Sequence, residues 1–257
     1  MLTLLEESSI IMKKILIIGA TSAIATACAR LWAKDGAVFF LVGRDDTKLQ
    51  NTADDLKARS SSEVHTDVIN ICDFESHEPM LERCFSTLQQ VDIALIAHGT
   101  LPDQSACEQD INIALEEFTS NGLSTIALLT PLANRMEKQS HGTIAVISSV
   151  AGDRGRQSNY LYGAAKASVT TFCEGLRARL LKHGVHVLTV KPGFVDTPMT
   201  RGLPLPGLLV SSPDKVASCI ANGVKRGSNS IYTPFYWSMI MFIIRTIPTF
   251  IFKRLSL

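Results

Sequence analysis

The chain has 257 residues, 46% of them hydrophobic and 19% charged, and a formal net charge of +1. That length buries a sizeable core, and the composition excludes intrinsic disorder, which needs few apolar residues and a high net charge. The near-zero balance also excludes a protein that lives on nucleic-acid backbones, although a mean hydropathy of +0.18 is high for a water-soluble enzyme.

At the start, Met1–Ile11 lacks the basic region and long apolar stretch of a signal peptide. Met12-Lys13-Lys14 before an apolar run is the natural beginning of the fold, leaving residues 1–12 as an extension. Short apolar runs at 15–18, 38–42, 93–96, 143–147 and 185–190 are bounded by Gly, Asp or Ser. Continuous apolar character suits strands covered on both faces. Helix-length segments at 23–34, 46–59, 75–89, 115–138 and 163–182 separate them. Strand–helix alternation predicts βαβ units on a parallel sheet, one α/β domain over residues 13–233. Six cysteines (28, 72, 84, 107, 173 and 219) contain no Cys-x-x-Cys pair. They read as reduced thiols of a cytoplasmic chain, with no metal site.

The first predicted strand ends in Gly19-Ala20-Thr21-Ser22-Ala23-Ile24-Ala25, directly before a helix. Such a turn aims backbone N–H groups and the positive end of a helix dipole at a phosphate. The second strand ends Val42-Gly43-Arg44, with glycine where an acid would bind a ribose 2′-hydroxyl and Arg44 placed for a 2′-phosphate. Asp45 and Asp46 read as the cap of the next helix, so the position favours NADP(H) over NAD(H).

Ser149 follows the strand at 143–147, Tyr162 lies thirteen residues on, and Lys166 lies four beyond that. Residues i and i+4 share a helix face, so Lys166 stands beside Tyr162. An ammonium there favours the phenolate and lowers the tyrosine pKa from about 10, making a usable general acid–base. Ser149 is placed to hydrogen-bond the reacting oxygen.

These motifs resemble those of the short-chain dehydrogenase/reductase family, over roughly residues 13–231. The resemblance implies a Rossmann-like three-layer sandwich and a tetrad of Asn121, Ser149, Tyr162 and Lys166. It implies a reduction in which NADPH supplies hydride to a carbonyl carbon and Tyr162 supplies the proton. Lys166 would also bind the nicotinamide ribose, and Asn121 would hold a relay water. The segment after the fourth strand, Ala97-His98-Gly99, and the loop carrying Pro192, Gly193, Val195 and Thr197 would complete the cofactor contacts. The adenine-contacting pair matches Asn70-Ile71 better than Asp67-Val68, given the following Asp73. Three features depart from the family pattern: Ala23 and Ala25 replace two turn glycines, and His98, read mainly as a structural hydrogen-bonder, replaces a small residue. A homodimer or homotetramer is the expected assembly.

Residues 97–103, 148–162 and 247–257 are similar to those of family members acting on a keto-sugar carried by a polyprenyl phosphate. Arg154 and Arg156, between Ser149 and Tyr162, are candidate phosphate contacts; a subunit salt bridge or a solvent-facing role would suit them equally. The tail adds to this pattern. After Asp214 the chain has no acid but Lys215, Lys225, Arg226, Arg245, Lys253 and Arg254, so residues 215–257 carry +6 and residues 1–214 carry −5. The apolar stretch 235–244 is too short to span a bilayer and is followed by Arg245 and Pro248. Two amphipathic pieces over 234–257 in the membrane interface suit it, with packing on the protein's own core or on a second subunit as the alternative. The leading function is thus an NADP-dependent carbonyl reductase, peripheral on the inner membrane face. A ketoacyl or small-ketone reductase, and a nucleotide-binding regulatory protein, are the competing readings.

Overall fold

The computed structural model describes residues 12–60 and 62–255; the start of the expected extension, residues 1–11, lies outside them. Strand β1 (Lys14–Ile18), helix α1 (Ala23–Ala33), β2 (Val38–Gly43), α2 (Asp46–Arg59) and β3 (Val64–Val68) open the chain. They are followed by α3 (His77–Leu88), β4 (Ile93–Ile96), α4 (Gln104–Gln109), α5 (Ile111–Phe118) and α6 (Ser124–Gln139). Next come β5 (Gly142–Ile147), α7 (Tyr160–Leu180), β6 (Val185–Pro192), β7 (Phe194–Val195) and β8 (Val210–Ser211). The chain closes with α8 (Pro213–Arg226), β9 (Ser230–Thr233), α9 (Tyr236–Thr246) and α10 (Thr249–Phe252).

Seven strands form one parallel sheet in the order β3-β2-β1-β4-β5-β6-β9. Alternate residues of the central strands feed two separate cores. Ile15, Ile17, Phe39, Leu41, Ile93 and Leu95 pack under α1, α2 and α8. Leu16, Ile18, Phe40, Val42, Ala94 and Ile96 pack under α3, α6 and α7. Burying each Leu, Ile, Val or Phe among them is worth about 1.5–3 kcal/mol, which is why the central strands read as unbroken apolar runs. The result is a single three-layer α/β domain of Rossmann type with helices appended at the C-terminus.

Two strands of the main sheet, and the short β7–β8 pair, lay outside the sequence reading. β3 (VHTDV) and β9 (SIYT) are the sheet's edges and are only partly buried. Edge strands need no continuous apolar run, so their signal is weak. The helix expected at 115–138 is instead α5, a π turn at Thr119–Leu123, and α6. The tail forms two short helices broken at Pro248.

Sheet order reverses between β1 and β4, whose ends are level, with Ile18 paired to Ile96. In parallel α/β sheets the crevice beyond such a reversal is where ligands bind.

Candidate active site

The loops beyond β1 and β4 meet back to back. Gly19 has a φ of +75°, and a β-carbon there would lie 2.6 Å from His98 N and 2.9 Å from Ala97 C, so only glycine fits. Ser22 caps α1, its hydroxyl accepting from Ala25 N at 3.2 Å. No acid stands in the first turn of α1, which leaves its N-terminus free to receive an anion. Thr21, Ser22, Ala23 and Ile24 are half-buried around that N-terminus. Ala23 and Ala25 fall inside α1 with ordinary helical φ, so replacing glycine by alanine costs the backbone nothing. This cradle fits a dinucleotide pyrophosphate.

Arg44 is exposed directly beyond β2, while the Asp45 carboxylate accepts from Lys48 N at 3.0 Å and so caps α2. Those contacts with Lys48 hold the Asp45 carboxyl below the usual range. Asn70 and Ile71 lie in the turn after β3, beside Gly43 through the bond from Ile69 N to Gly43 O. Asp67 is occupied by an ion pair with Arg83 at 2.7 Å.

His98 is half-buried beneath the turn, with its Nδ1 fully covered. Ser124 Oγ donates to Ser120 O and so accepts from His98 Nε2 at 3.0 Å, and Thr125 Oγ1 lies 3.1 Å from the same nitrogen. Burial, then the charge of Lys166, pulls the His98 pKa down to about 3. The ring is therefore neutral at physiological pH and braces α6 against β4.

Beyond β5, Ser149 starts a 3-10 turn (Val150–Asp153), accepting from Ala151 N at 3.1 Å. This turn packs so tightly on α7 that a β-carbon at Gly152 would meet Ala167 N at 2.8 Å. Ser148 holds the same helix from below, donating to Lys166 O at 3.0 Å. The contact brings the Ser149 hydroxyl into hydrogen-bonding range of the Tyr162 phenol in the first turn of α7. One turn on, the buried Lys166 Nζ lies 5.8 Å from the Tyr162 ring centre and donates to Ile147 O at 3.3 Å.

The electrostatics differ from the simple lysine-lowers-tyrosine expectation. Burial pushes the Tyr162 phenol up to about 12, with the Ser149 hydrogen bond as the opposing effect. Burial also pulls Lys166 down to about 8. Desolvation disfavours both charged forms and is the largest cause of both shifts. At neutral pH the phenol is protonated, the form that donates a proton.

Asn121 is fully buried on the π turn between α5 and α6. Its Oδ1 accepts from Thr100 N at 2.9 Å; its Nδ2 donates to Thr100 Oγ1 at 2.9 Å and to Glu117 O at 3.0 Å. Thr100 Oγ1 in turn donates to Glu117 Oε2. Asn121 Oδ1 and Lys166 Nζ converge on Gly99, 2.9 and 3.4 Å from where its β-carbon would be. Thr100 and Glu117 escaped the sequence reading, although Glu117, four residues before Asn121, was legible as a helical neighbour.

On the other side of the site, β6 ends at Pro192, and Gly193 N donates to Thr233 O at 3.1 Å. Val195 pairs with Ser211 in the small β7–β8 sheet, and Thr200 Oγ1 bridges Val195 O and Thr197. The two candidate arginines part company. Arg154 donates to Ile244 O and, at 2.7 Å, to Ile247 O, and lies 3.7 Å over the Phe252 ring. It is thus committed to the tail, and the expected phosphate contact at this position gives way to an internal clamp. Arg156 is half-buried, its Nε has no hydrogen-bond partner among the described residues, and burial lowers its pKa.

Comparison with known proteins bears on the family and the fold. A sequence profile described as short chain dehydrogenase matches residues 13–205. The chain is 32% identical over 241 residues to Uncharacterized oxidoreductase Rv2073c of Mycobacterium tuberculosis, covering 94% of this chain and 96% of that one. It is 33% identical to an uncharacterized oxidoreductase of Streptomyces coelicolor, over 95% and 96% of the two chains. Among solved structures, a variant of actinorhodin polyketide ketoreductase with NADPH shares the fold, at a TM-score of 0.78, 20% identity, and 88% and 97% coverage. A short chain dehydrogenase/reductase family protein aligns with a TM-score of 0.75 at 25% identity, over 86% and 94%.

Proposed function

The chain belongs to the short-chain dehydrogenase/reductase family of NAD(P)-dependent oxidoreductases, and from that premise we propose that it reduces the carbonyl of a lipid-phosphate-linked keto-sugar with NADPH. The observation that carries the reaction is the placement of the Tyr162 phenol beside Ser149 and one helical turn from Lys166. When bound, the nicotinamide cofactor supplies hydride to the carbonyl carbon. Ser149 and Tyr162 hydrogen-bond the carbonyl oxygen, and Tyr162 gives it a proton as negative charge develops. Lys166, its charge retained at neutral pH, stabilises the phenolate left behind. Asn121, fixed by Thr100 and Glu117, orients its Oδ1 toward the Gly99 face that Lys166 also occupies.

Gly19, Thr21, Ser22, Ala23 and Ile24 hold the pyrophosphate. Asn70 and Ile71 flank the adenine, and Ala97–Gly99 with Pro192, Gly193, Val195 and Thr197 flank the nicotinamide half. Arg44, with Asp45 withdrawn into a helix cap, favours the 2′-phosphate of NADP(H).

For the substrate we follow the resemblance of residues 97–103, 148–162 and 247–257 to decaprenylphosphoryl-2-keto-β-D-erythro-pentose reductase. Arg156, a half-buried guanidinium with an unpartnered Nε, is the phosphate contact, because an anion offsets the cost of burying it. The outer face of the tail supports a membrane-borne substrate. Phe235, Met239, Phe242, Ile243 and Phe250 are exposed, and the local charges Arg245, Lys253 and Arg254 are all positive. Such a face fits an anionic bilayer surface. No helix among the described residues is long and apolar enough to cross a membrane.

The test is NADPH oxidation with a panel of keto-sugar lipids and ketoacyl thioesters. Turnover of the keto-lipid, lost in Arg156→Ala by roughly a tenfold rise in KM (about 1.4 kcal/mol), is expected. Turnover of ketoacyl thioesters alone would overturn the substrate assignment. Flotation with anionic vesicles, abolished in Met239→Ser/Phe242→Ser, is expected. Dimer dissociation by that variant, without any vesicle binding of the wild type, would assign the face to a second copy.

A further inference from the structure

Helix α9 has two apolar faces, and the inner one is built into the site. Trp237 and Met241, 2% and 1% exposed, join Val150 in a third core, with Phe194, Leu209, Tyr232, Ile240 and Ile244 packed around it. This core lies between the turn after Ser149 and the loop after β6.

The Trp237 indole rests on Gly193. A β-carbon at that position would fall 1.9 Å from Cε2 and Nε1, so the ring occupies the place of a side chain. The same ring meets Phe194 edge-on, with centroids 5.1 Å apart and planes at 90°. Its buried N–H has no hydrogen-bond partner among the described residues, so packing alone holds it. Other contacts fix the helix to the opposite lip. Arg154 clamps the carbonyls of Ile244 and Ile247. Beneath it, Lys191 Nζ pairs with Asp153 at 2.7 Å, and Tyr232 OH donates to Asp153 Oδ2 at 2.6 Å.

We propose that α9 is a wall of the cofactor site and that Trp237 is a positioning residue setting the Gly193–Thr197 loop for the nicotinamide half. The assignment rests on reading 192–197 as the cofactor loop. Gly193 has a backbone bond to Thr233 O but no side chain with which to anchor itself, so without the indole more of the loop's ordering falls to dinucleotide binding. That ordering entropy is charged against affinity. The tail therefore acts on both faces, with the outer one left open and the inner one holding the loop.

The test measures NADPH affinity by energy transfer from Trp237 in a Trp32→Phe background and by NADPH fluorescence in the variants, together with amide exchange over 193–197. Trp237→Ala is expected to weaken NADPH about tenfold and to deprotect the loop amides. Trp237→Phe restores both to within about twofold, because packing and not the N–H is used. The outer-face variant Met239→Ser changes neither. Should the alanine variant fail to fold, Trp237→Leu takes its place with the same expected order of effects. Unchanged affinity and unchanged protection in the folded variant would overturn the proposal. If the wild type binds neither NADPH nor NADH, the cofactor reading fails instead. Amide exchange then decides alone: loop deprotection rescued by phenylalanine supports positioning, and unaltered protection refutes it.

Discussion

The two flanks of the crevice are assembled by different kinds of contact. On the β1–β2 flank, Ser22 and Asp45 each cap a helix by accepting from the residue three further on, and Gly19 turns on its own φ. On the β6–α9 flank, Asp153 reaches Lys191 and Tyr232, and Arg154 reaches Ile244 and Ile247, across separations of 38 to 93 residues. Local geometry suffices to build a phosphate cradle. The wall on the other flank needs side chains from distant segments.

Breaking the first flank has the largest expected effect. Gly19→Val forces a branched side chain into φ +75° and against the His98 backbone. It is expected to weaken dinucleotide binding by at least about a hundredfold, roughly 2.7 kcal/mol, as measured by NADPH titration. The pH profile probes the floor that both flanks share. With Lys166 at about 8, its charge is present below that pH and lost above it. Reductive kcat/KM should be level through neutrality and fall up to about tenfold per pH unit on the alkaline side. A profile level to about pH 10, the ordinary lysine range, would remove Lys166 from that role.

Arg44→Ala is expected to raise the NADPH Kd roughly tenfold and leave NADH unchanged, in parallel fluorescence titrations. Equal loss for both would deny Arg44 the 2′-phosphate. Arg154→Ala tests the distant flank. Losing charge-assisted bonds worth about 1.5–3 kcal/mol each in favourable cases, it should lower Tm by a few degrees and speed proteolysis after residue 233. An unaltered tail would mean the clamp is dispensable.

Legibility from sequence followed the same division. Central strands are apolar on both faces, and the Gly19 turn, the Asp45 cap and the Ser149–Tyr162–Lys166 spacing are local patterns, so all were readable. β3 and β9 hid because edge strands carry mixed residues. The π turn holding Asn121 was read as plain helix, since its apolar period continues through it. Arg154 was read toward the substrate because nothing nearby reveals that carbonyls some ninety residues on will claim it. The tail, offered either a membrane or the protein's own core, uses one face of α9 for the core. Tyr162 was expected with a lowered pKa, because spacing places Lys166 beside it but does not convey how deeply the pair is desolvated.

The most direct test of the central claim compares wild type with Tyr162→Phe, measuring NADPH binding and keto-substrate reduction in the same preparation. The variant is expected to bind NADPH as the wild type does while reduction falls by roughly 10²–10⁴-fold. Reduction at or near the wild-type rate in the phenylalanine variant would contradict Tyr162 as the proton donor, and with it the mechanism.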